Sequence, residues 1–403
     1  MFPKKFFWGS ATSAHQVEGE NINNDWWQWE QGKKSIEPSG KACNHYELFR
    51  EDFDLASNLN HNAHRFSIEW SRIEPAEGRF NQAEIEHYRS VINALLERKI
   101  EPIVTLHHFT IPSWLFNKGG WLNKDIVKYF ERYIEKVVES FSQKVKYWIT
   151  INEPMVLVHA SYLTGVWPAG EKSLIKSSKV TKNLISAHKK AYEKIHEIYK
   201  NKNLGQPMIS ITKHFHLFHP CPYGIKLLNK FSTFLRNRFF NLYFLDKIKS
   251  HMDFIGLNYY TRDLVSFTVL NINELFGRDC THIHNHLGMR NSLKWEIYPE
   301  GLFEVLTILK KFNIPIMITE NGICTHDDNQ RWNFIKEHIQ QIKKALNKGI
   351  PIIGYLYWSL LDNFEWREGF APRFGLINVD YSNFKRTVRE SAREFGKFIN
   401  AGK

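Results

Sequence analysis

Long apolar runs are missing from this chain of 403 residues. No uninterrupted stretch approaches the roughly 18 residues that a membrane-spanning helix needs, so such a helix is not expected. The start, Met1 to Gly9, has neither the apolar core nor the small-residue cleavage site of a secretory leader, and the cytoplasm is the expected location. Cysteine is scarce. Cys43, Cys221, Cys280 and Cys324 are widely spaced and form no short-spacing metal pattern, so reduced, buried or half-buried thiols are expected, with no disulfide frame. Acidic residues are outnumbered, 42 Asp and Glu against 54 Lys and Arg, for a formal net charge of +12. An excess of that kind raises the question of nucleic-acid or membrane binding. It is dispersed here. Lys176, Lys179, Lys182, Lys189, Lys190, Lys194, Lys200 and Lys202 share one polar helical stretch, and Lys385, Arg386, Arg389, Arg393 and Lys397 are assigned to the last helix. Solvated outer helix faces account for both sets. No recognition motif accompanies them, and neither nucleic acid nor membrane is expected as a partner.

Aromatic residues, by contrast, make up 15% of the chain, more than packing alone requires. Short apolar runs alternate with stretches of helical periodicity. Candidate strands lie near 6–12, 64–69, 101–106, 146–151, 208–212, 253–257, 314–319 and 351–357. Candidate helices include one after an Asn81/Glu84 capping pair, one over Ile126 to Phe141 after Asn123, and others at 47–60, 181–200, 225–250, 299–312, 329–348 and 387–400. A parallel return needs a crossover, and eight strand–helix units close into a barrel. The expected fold is therefore α/β, a single (β/α)8 TIM barrel occupying residues 1–403. The long connection at 259–298 is expected to wall its site.

In such a barrel the C-terminal strand ends converge on one face. Here those ends carry Gln16 and Glu18, then Arg65, Glu69 and Trp70, then His107, His108 and Phe109. Asn152 and Glu153 follow the fourth strand, Asn258, Tyr259 and Tyr260 the sixth, and Glu320 the seventh; Trp358, Asp362, Asn363, Glu365 and Trp366 follow the eighth. Any one of these alone reads as a satisfied core group; six strand ends with sugar-compatible groups at once do not. Two glutamates delivered to one face, in Thr150-Ile151-Asn152-Glu153-Pro154 and Ile318-Thr319-Glu320-Asn321-Gly322, supply the acid and the nucleophile that glycosidic cleavage requires.

The run from Phe7 to Gly19 (FWGSATSAHQVEG), the segment Arg65 to Ile73 (RFSIEWSRI), the two glutamate motifs and Tyr357 to Trp366 (YWSLLDNFEW) together resemble glycoside hydrolase family 1, retaining β-glucosidases and β-galactosidases, over nearly the whole chain. The resemblance implies that Glu153 is the general acid/base and Glu320 the nucleophile. It further implies that Asn152 holds the sugar 2-OH and that Arg65 and Tyr260 contact the nucleophile. Gln16, His108, Glu365 and Trp366 would bind the other hydroxyls, and Trp358 would form the stacking floor. The implied reaction is exo hydrolysis of small β-glycosides by double displacement, with the two carboxyl groups about 5 Å apart and neither metal nor cofactor required. Arg65 is expected to lower the pKa of Glu320, whereas burial and the Glu320 charge should raise that of Glu153. The chain departs from the family pattern at Phe109 (usually Trp), His15 (usually Tyr) and Asn44 (often Asp), and it is shorter than most members.

His214, His216 and His219, and again His282, His284 and His286, alternate in a way that suits a transition metal, but neither set has the spacing of an established zinc motif. Metal-free loop or strand-end histidines are expected. Three other functions compete. A 6-phospho-β-glycosidase is disfavoured because the Glu365 carboxylate would repel a phosphate dianion. A non-catalytic sugar-binding barrel should lack one of the glutamates, and both are present. A polyanion binder would rest on net charge alone.

Overall fold

Each of the eight expected strands is formed. In the computed structural model, which describes residues 2–33, 36–271, 274–280 and 288–402, they are β1 (Phe7–Ala11), β2 (Ala63–Ser67), β3 (Glu101–Thr105), β4 (Tyr147–Asn152), β5 (Met208–His214), β6 (Ile255–Asn258), β7 (Ile316–Asn321) and β8 (Ile352–Trp358). All pair in parallel, and β8 returns to β1, closing the barrel. His282, His284 and His286 lie outside the described residues.

Side chains alternate along a strand, which fixes what stands on each level of the interior. Ala63, Ile103, Ile149, Phe254, Met317 and Leu356 form a separate buried apolar cluster. Two residues further along, and so on the same face, stand Arg65 and Trp358. An apolar plug thus lies directly beneath the polar level. The outer faces of the strands pack against a much larger cluster shared with the helices.

The major helices are α1 (His45–Asn58), α2 (Gln82–Glu97), α3 (Ile126–Phe141), α4 (Leu174–Asn201), α5 (Lys226–Arg236), α6 (Tyr243–Ile248), α7 (Glu300–Leu309), α8 (Asp328–Asn347) and α9 (Glu390–Ala401). Asn81 caps α2, accepting from the backbone N–H groups of Ala83 (3.0 Å) and Glu84 (3.4 Å). The Glu84 carboxylate, expected to complete the cap, instead accepts from the Tyr46 hydroxyl at 3.1 Å. The stretch expected as one helix at 225–250 is α5 and α6 joined by a π turn at Asn237–Leu242.

The long connection after β6 contains two strands among its described residues. Arg262–Phe267 pairs with Leu217–Pro220 on one side and with Gly277–Asp279 on the other. Here the structure corrects the expectation of reduced thiols: Cys221 and Cys280, 59 residues apart with a Cα separation of 6.6 Å, are joined by a disulfide across this small sheet. Sequence spacing hid the pair because the two cysteines meet only after the central strand has brought both edges to its sides. Cys43 and Cys324 are free and buried. Among the described residues no helix is long and apolar enough to cross a membrane.

The second basic set is also corrected. Lys385 and Arg386 belong to a strand, Lys385–Val388, and Arg389 precedes α9. Arg386 is buried and pairs bidentately with buried Asp52, Nε to Oδ1 at 2.8 Å and Nη2 to Oδ2 at 3.0 Å, while His45 Nδ1 reaches the same carboxylate at 2.7 Å. Arg389 does the same for buried Asp362, with Nη2 to Oδ2 at 2.8 Å and Nη1 to Oδ1 at 3.1 Å. Two of the five cations therefore serve buried carboxylates, a role that composition does not reveal.

Replacing Arg386 with Met should leave Asp52 buried with only His45 to answer it. Breaking such a pair from one side costs about 3–5 kcal/mol. The loss should appear in chemical denaturation of the variant against the parent, with the m-value unchanged; a loss under about 1 kcal/mol would show the pair to be dispensable.

Candidate active site

The C-terminal mouth of the barrel opens into a cavity of about 560 Å³. Its floor is set by the strand ends. β4 runs to Asn152, and Pro154, which has no N–H to continue a ladder, opens a short helix at Pro154–Leu157. Glu153 sits between them in the left-handed region at φ 43°, a conformation that costs a non-glycine residue of order 1–3 kcal/mol and is held by its surroundings. β7 delivers Glu320. Two residues on, Gly322 lies so close to β8 that an added Cβ would stand 1.8 Å from the Trp358 carbonyl oxygen.

Arg65, fully buried on β2, ties these ends together. Its Nη1 contacts Glu320 Oε1, its Nη2 donates to Asn152 Oδ1 at 2.6 Å, and its Nε donates to Thr105 Oγ1 at 2.9 Å. The Tyr260 hydroxyl donates to the other Glu320 oxygen at 2.6 Å. Both contacts expected for the nucleophile are therefore present. Glu153 has different company: Asn258 Nδ2 donates to its Oε1 at 2.6 Å, and His214 Nδ1 lies 3.3 Å from the same oxygen.

The remaining expected residues line the same cavity. Gln16 Nε2 donates to Asn363 Oδ1 (3.0 Å), to the Phe364 carbonyl (2.9 Å) and to Glu365 Oε2 (3.4 Å). His108 Nε2 lies 3.2 Å from Asn152 Nδ2, and its ring is near-parallel to Trp358 and Trp366, with centroids 6.1 and 6.3 Å away. His15 stacks on Trp366 at 5.7 Å, and Phe109 packs edge-on against it at 5.4 Å. Two of the departures from the family pattern thus shape one tryptophan.

Other strand-end residues turn away. Glu18 accepts from Arg72 and Tyr88, Glu69 from Ser71 and Thr110, and His107 packs on Trp121. Trp70 stacks on Tyr133, Tyr259 donates to the Tyr298 carbonyl, and Asp362 is held by Arg373 and Arg389. Two residues missed as functional are Asn258, set aside as one strand-end residue among many, and His214, set aside with the metal-like histidines. The signal was period two: His214 and His216 share a face at the end of β5, and both reach the cavity, whereas His219 leaves to contact Glu304 at 2.9 Å. Among the described residues no group of three or more His, Cys, Asp or Glu is placed to hold a metal ion.

The electrostatics run against expectation. Burial pushes Glu320 up to about 7, against the Arg65 guanidinium and with help from the Glu153 charge. On Glu153 burial also works upward, but His214, Asn258 and Lys213 hold its carboxyl below the usual range. Burial pushes His214 itself down and Lys213 down to about 7, so their pull fades near neutrality. The two glutamates titrate as a pair that shares one proton. Glu365 is pushed up to about 8 by burial and by the charges of Glu320 and Glu153, and so holds its proton at neutral pH.

The glycosyl hydrolase family 1 pattern matches residues 1–247 and 223–403, which together span the chain. Among solved structures, the β-glycosidase of Pyrococcus horikoshii superposes with a TM-score of 0.92 at 42% identity, covering 99% of this chain and 94% of its own. A β-glucosidase from Thermotoga maritima in complex with glucoimidazole superposes at 0.91 with 31% identity, covering 99% and 98%. β-Glucosidase A of Thermotoga maritima is 34% identical over 440 residues, 99% of this chain and 97% of that protein. A single closed barrel, an arginine-held glutamate on β7 and a second glutamate on β4 thus coincide with full-length similarity in both sequence and structure, and the chain belongs to glycosyl hydrolase family 1, as a glycoside hydrolase.

Proposed function

We propose that the chain is an exo-acting, retaining β-glycosidase for β-glucosides and related small β-glycosides, with residues 1–403 as one catalytic domain. The observation that carries this reading is the pairing of Glu320 with Arg65 and Tyr260 on one side of the cavity and Glu153, with different partners, on the other. Glu320 attacks the anomeric carbon while Glu153 gives its proton to the leaving oxygen. The resulting glycosyl ester removes the Glu320 charge. Glu153, now a carboxylate, takes a proton from water as that water displaces Glu320, and both groups return to their starting state.

The two nearest donors to Glu320 hold one oxygen each, which fixes the carboxylate plane for attack. Asn152, with its carbonyl end occupied by Arg65, turns its amide toward His108 and the sugar 2-OH. Trp358 is the stacking floor, and Gln16, His108, Glu365 and Trp366 take the outer hydroxyls. The apolar C–H face of the sugar suits the indoles. Cytoplasmic location stays part of the proposal. The Cys221–Cys280 bridge bears on it, since intracellular bridges are rare outside hyperthermophiles; fractionation with thiol alkylation decides it.

Glu320→Ala should abolish turnover of every glycoside, whereas Glu153→Ala should lower kcat/KM far less for activated leaving groups, which need little protonation in the first step, than for alkyl ones. Comparing dinitrophenyl with alkyl β-glucosides tests the assignment, and equal loss on both substrates in both variants would reverse it.

The one-proton form of the pair is the reactive one, so kcat/KM should fall as pH rises through about 7, where the shared proton is lost. A profile flat to pH 9 would place the acid elsewhere.

Glu365 is the residue that narrows the sugar. A proton held to about 8 reduces the repulsion of a phosphate at neutral pH but leaves a carboxyl, rather than a cation, to meet the dianion at this position. Plain nitrophenyl β-glucoside should be favoured over its 6-phosphate by several orders of magnitude, at roughly 1.4 kcal/mol per tenfold. Equal use of the two by the parent enzyme would promote the phospho-glycosidase reading.

A further inference from the structure

The alternating histidines set aside in the sequence form a row that starts at Glu153. His214 Nδ1 lies 3.3 Å from Glu153 Oε1, His214 Nε2 lies 3.2 Å from His216 Nδ1, and His216 Nε2 lies 2.9 Å from Asp263 Oδ2. The middle contact is a formed hydrogen bond; at the Asp263 and Glu153 ends the ring nitrogen is within distance but not aligned on the oxygen. Each imidazole faces one neighbour with one nitrogen and the other neighbour with its second nitrogen. All four side chains are buried or half-buried, and three line the cavity with Glu153.

We infer that Asp263, His216 and His214 are positioning residues for the acid step, a row that keeps the proton on Glu153. The inference rests on the reading of Glu153 as acid/base. A carboxylate at Asp263 calls for N–H on His216 Nε2. Its Nδ1 is then an acceptor, which calls for N–H on His214 Nε2, and this turns the lone pair of His214 Nδ1 toward Glu153. That lone pair accepts from a protonated Glu153 and repels an ionised one. In the opposite register three protons each move one contact: Glu153 gives its own to His214 Nδ1, His214 Nε2 accepts from His216 Nδ1–H after exchange, and Asp263 ends protonated. The row carries one negative charge in either register, located at one end or the other.

The surroundings decide which end. Facing Asp263 and His216 are Arg236, whose charge acts on Asp263, with His159 beside His216. Arg236 also pairs with Glu274, so its charge is shared. Facing His214 are Lys213, Glu153 and the near-parallel Tyr260 ring at 5.9 Å. Next to Glu153 stand the Asn258 amide, the Lys213 amine, itself pushed down to about 7, and the Glu320 carboxylate, which repels a second anion. As His214 and Lys213 lose their charge near neutrality, the pull that holds the Glu153 carboxyl down fades, and Arg236 near one end with Glu320 near the other then places the charge on Asp263 and the proton on Glu153, as the first step of cleavage requires.

The test is a cycle of Asp263→Asn, Glu153→Ala and the double variant, with His216→Phe as a second interruption of the row. An amide accepts or donates and no longer fixes the imidazole register. Asp263→Asn should lower kcat/KM for an alkyl β-glucoside about tenfold, a fraction of the roughly 10²–10⁴ that a positioned general acid supplies, and move the alkaline limb of its pH profile to lower pH. Dinitrophenyl β-glucoside should change less than about twofold, because it does not need the acid. In the Glu153→Ala background, Asp263→Asn should add nothing. His216→Phe should reproduce the leaving-group split. Equal loss on both substrates, an unmoved pH limb, or a full effect of Asp263→Asn without Glu153 would overturn the row. A Glu153→Ala variant without leaving-group dependence would instead overturn the acid/base assignment itself, so the two failures are distinct.

Discussion

A single buried guanidinium organises the floor of the barrel. Arg65 is fully enclosed, and its donors reach β3 at Thr105, β4 at Asn152 and β7 at Glu320. A buried cation is tolerable only when neutralised and hydrogen-bonded, so the position of Glu320 is a condition of the fold as well as of the chemistry. The polarity of Asn152 follows from the same contact. Its carbonyl end is committed to Arg65, which leaves the amide to face His108 and the cavity. Beneath lies the apolar plug of Ala63, Ile103, Ile149, Phe254, Met317 and Leu356. Arg65 has no route to solvent on that side.

Three carboxyl groups, Glu153, Glu320 and Glu365, share this one cavity. Their mutual repulsion and their burial act in the same direction, and the formal charge of Arg65 does not cancel both. Glu320 is pushed up to about 7 despite its ion pair, and Glu365 to about 8. Burial outweighs a single opposing charge because it acts on the whole ionised group, whereas the guanidinium is divided between Glu320 and Asn152. Glu320 and Glu153 are distinguished by their partners: fixed donors for Glu320, and imidazole and amide for Glu153.

The segment after β8 is held from outside. Asp362 accepts from Arg389 and Arg373 and from the Gly375 N–H at 2.9 Å, while Gln16 and Ser359 bind Asn363 from within. Glu365 and Trp366 follow directly, so their placement depends on ion pairs that touch no substrate. His15 and Phe109 then set the Trp366 ring. The placement of Glu365 and Trp366 is in this way a property of three packed layers.

The eight strands, the helix periodicities and the two glutamate motifs were legible in the sequence because each is a local pattern: apolar runs of strand length, a 3.6-residue repeat, a carboxylate at a strand end. Gln16, Arg65, His108, Asn152, Tyr260, Trp358, Glu365 and Trp366 were legible because strand ends of one barrel share one face and because the family resemblance singled these out among the strand-end residues. The sequence by itself therefore determined the architecture and the cast of the cavity. Tertiary structure alone decided which strand-end residues turn inward, since Glu18, Glu69 and Trp70 carry the same local signal as Gln16 and Arg65 but meet Arg72, Ser71 and Tyr133 instead. It alone paired Cys221 with Cys280, sent Arg386 to Asp52, placed His214 beside Glu153 and reversed the expected order of the two glutamate pKa values. Each of these depends on distances between segments remote in the chain and on burial, quantities set by how the elements pack rather than by any single element.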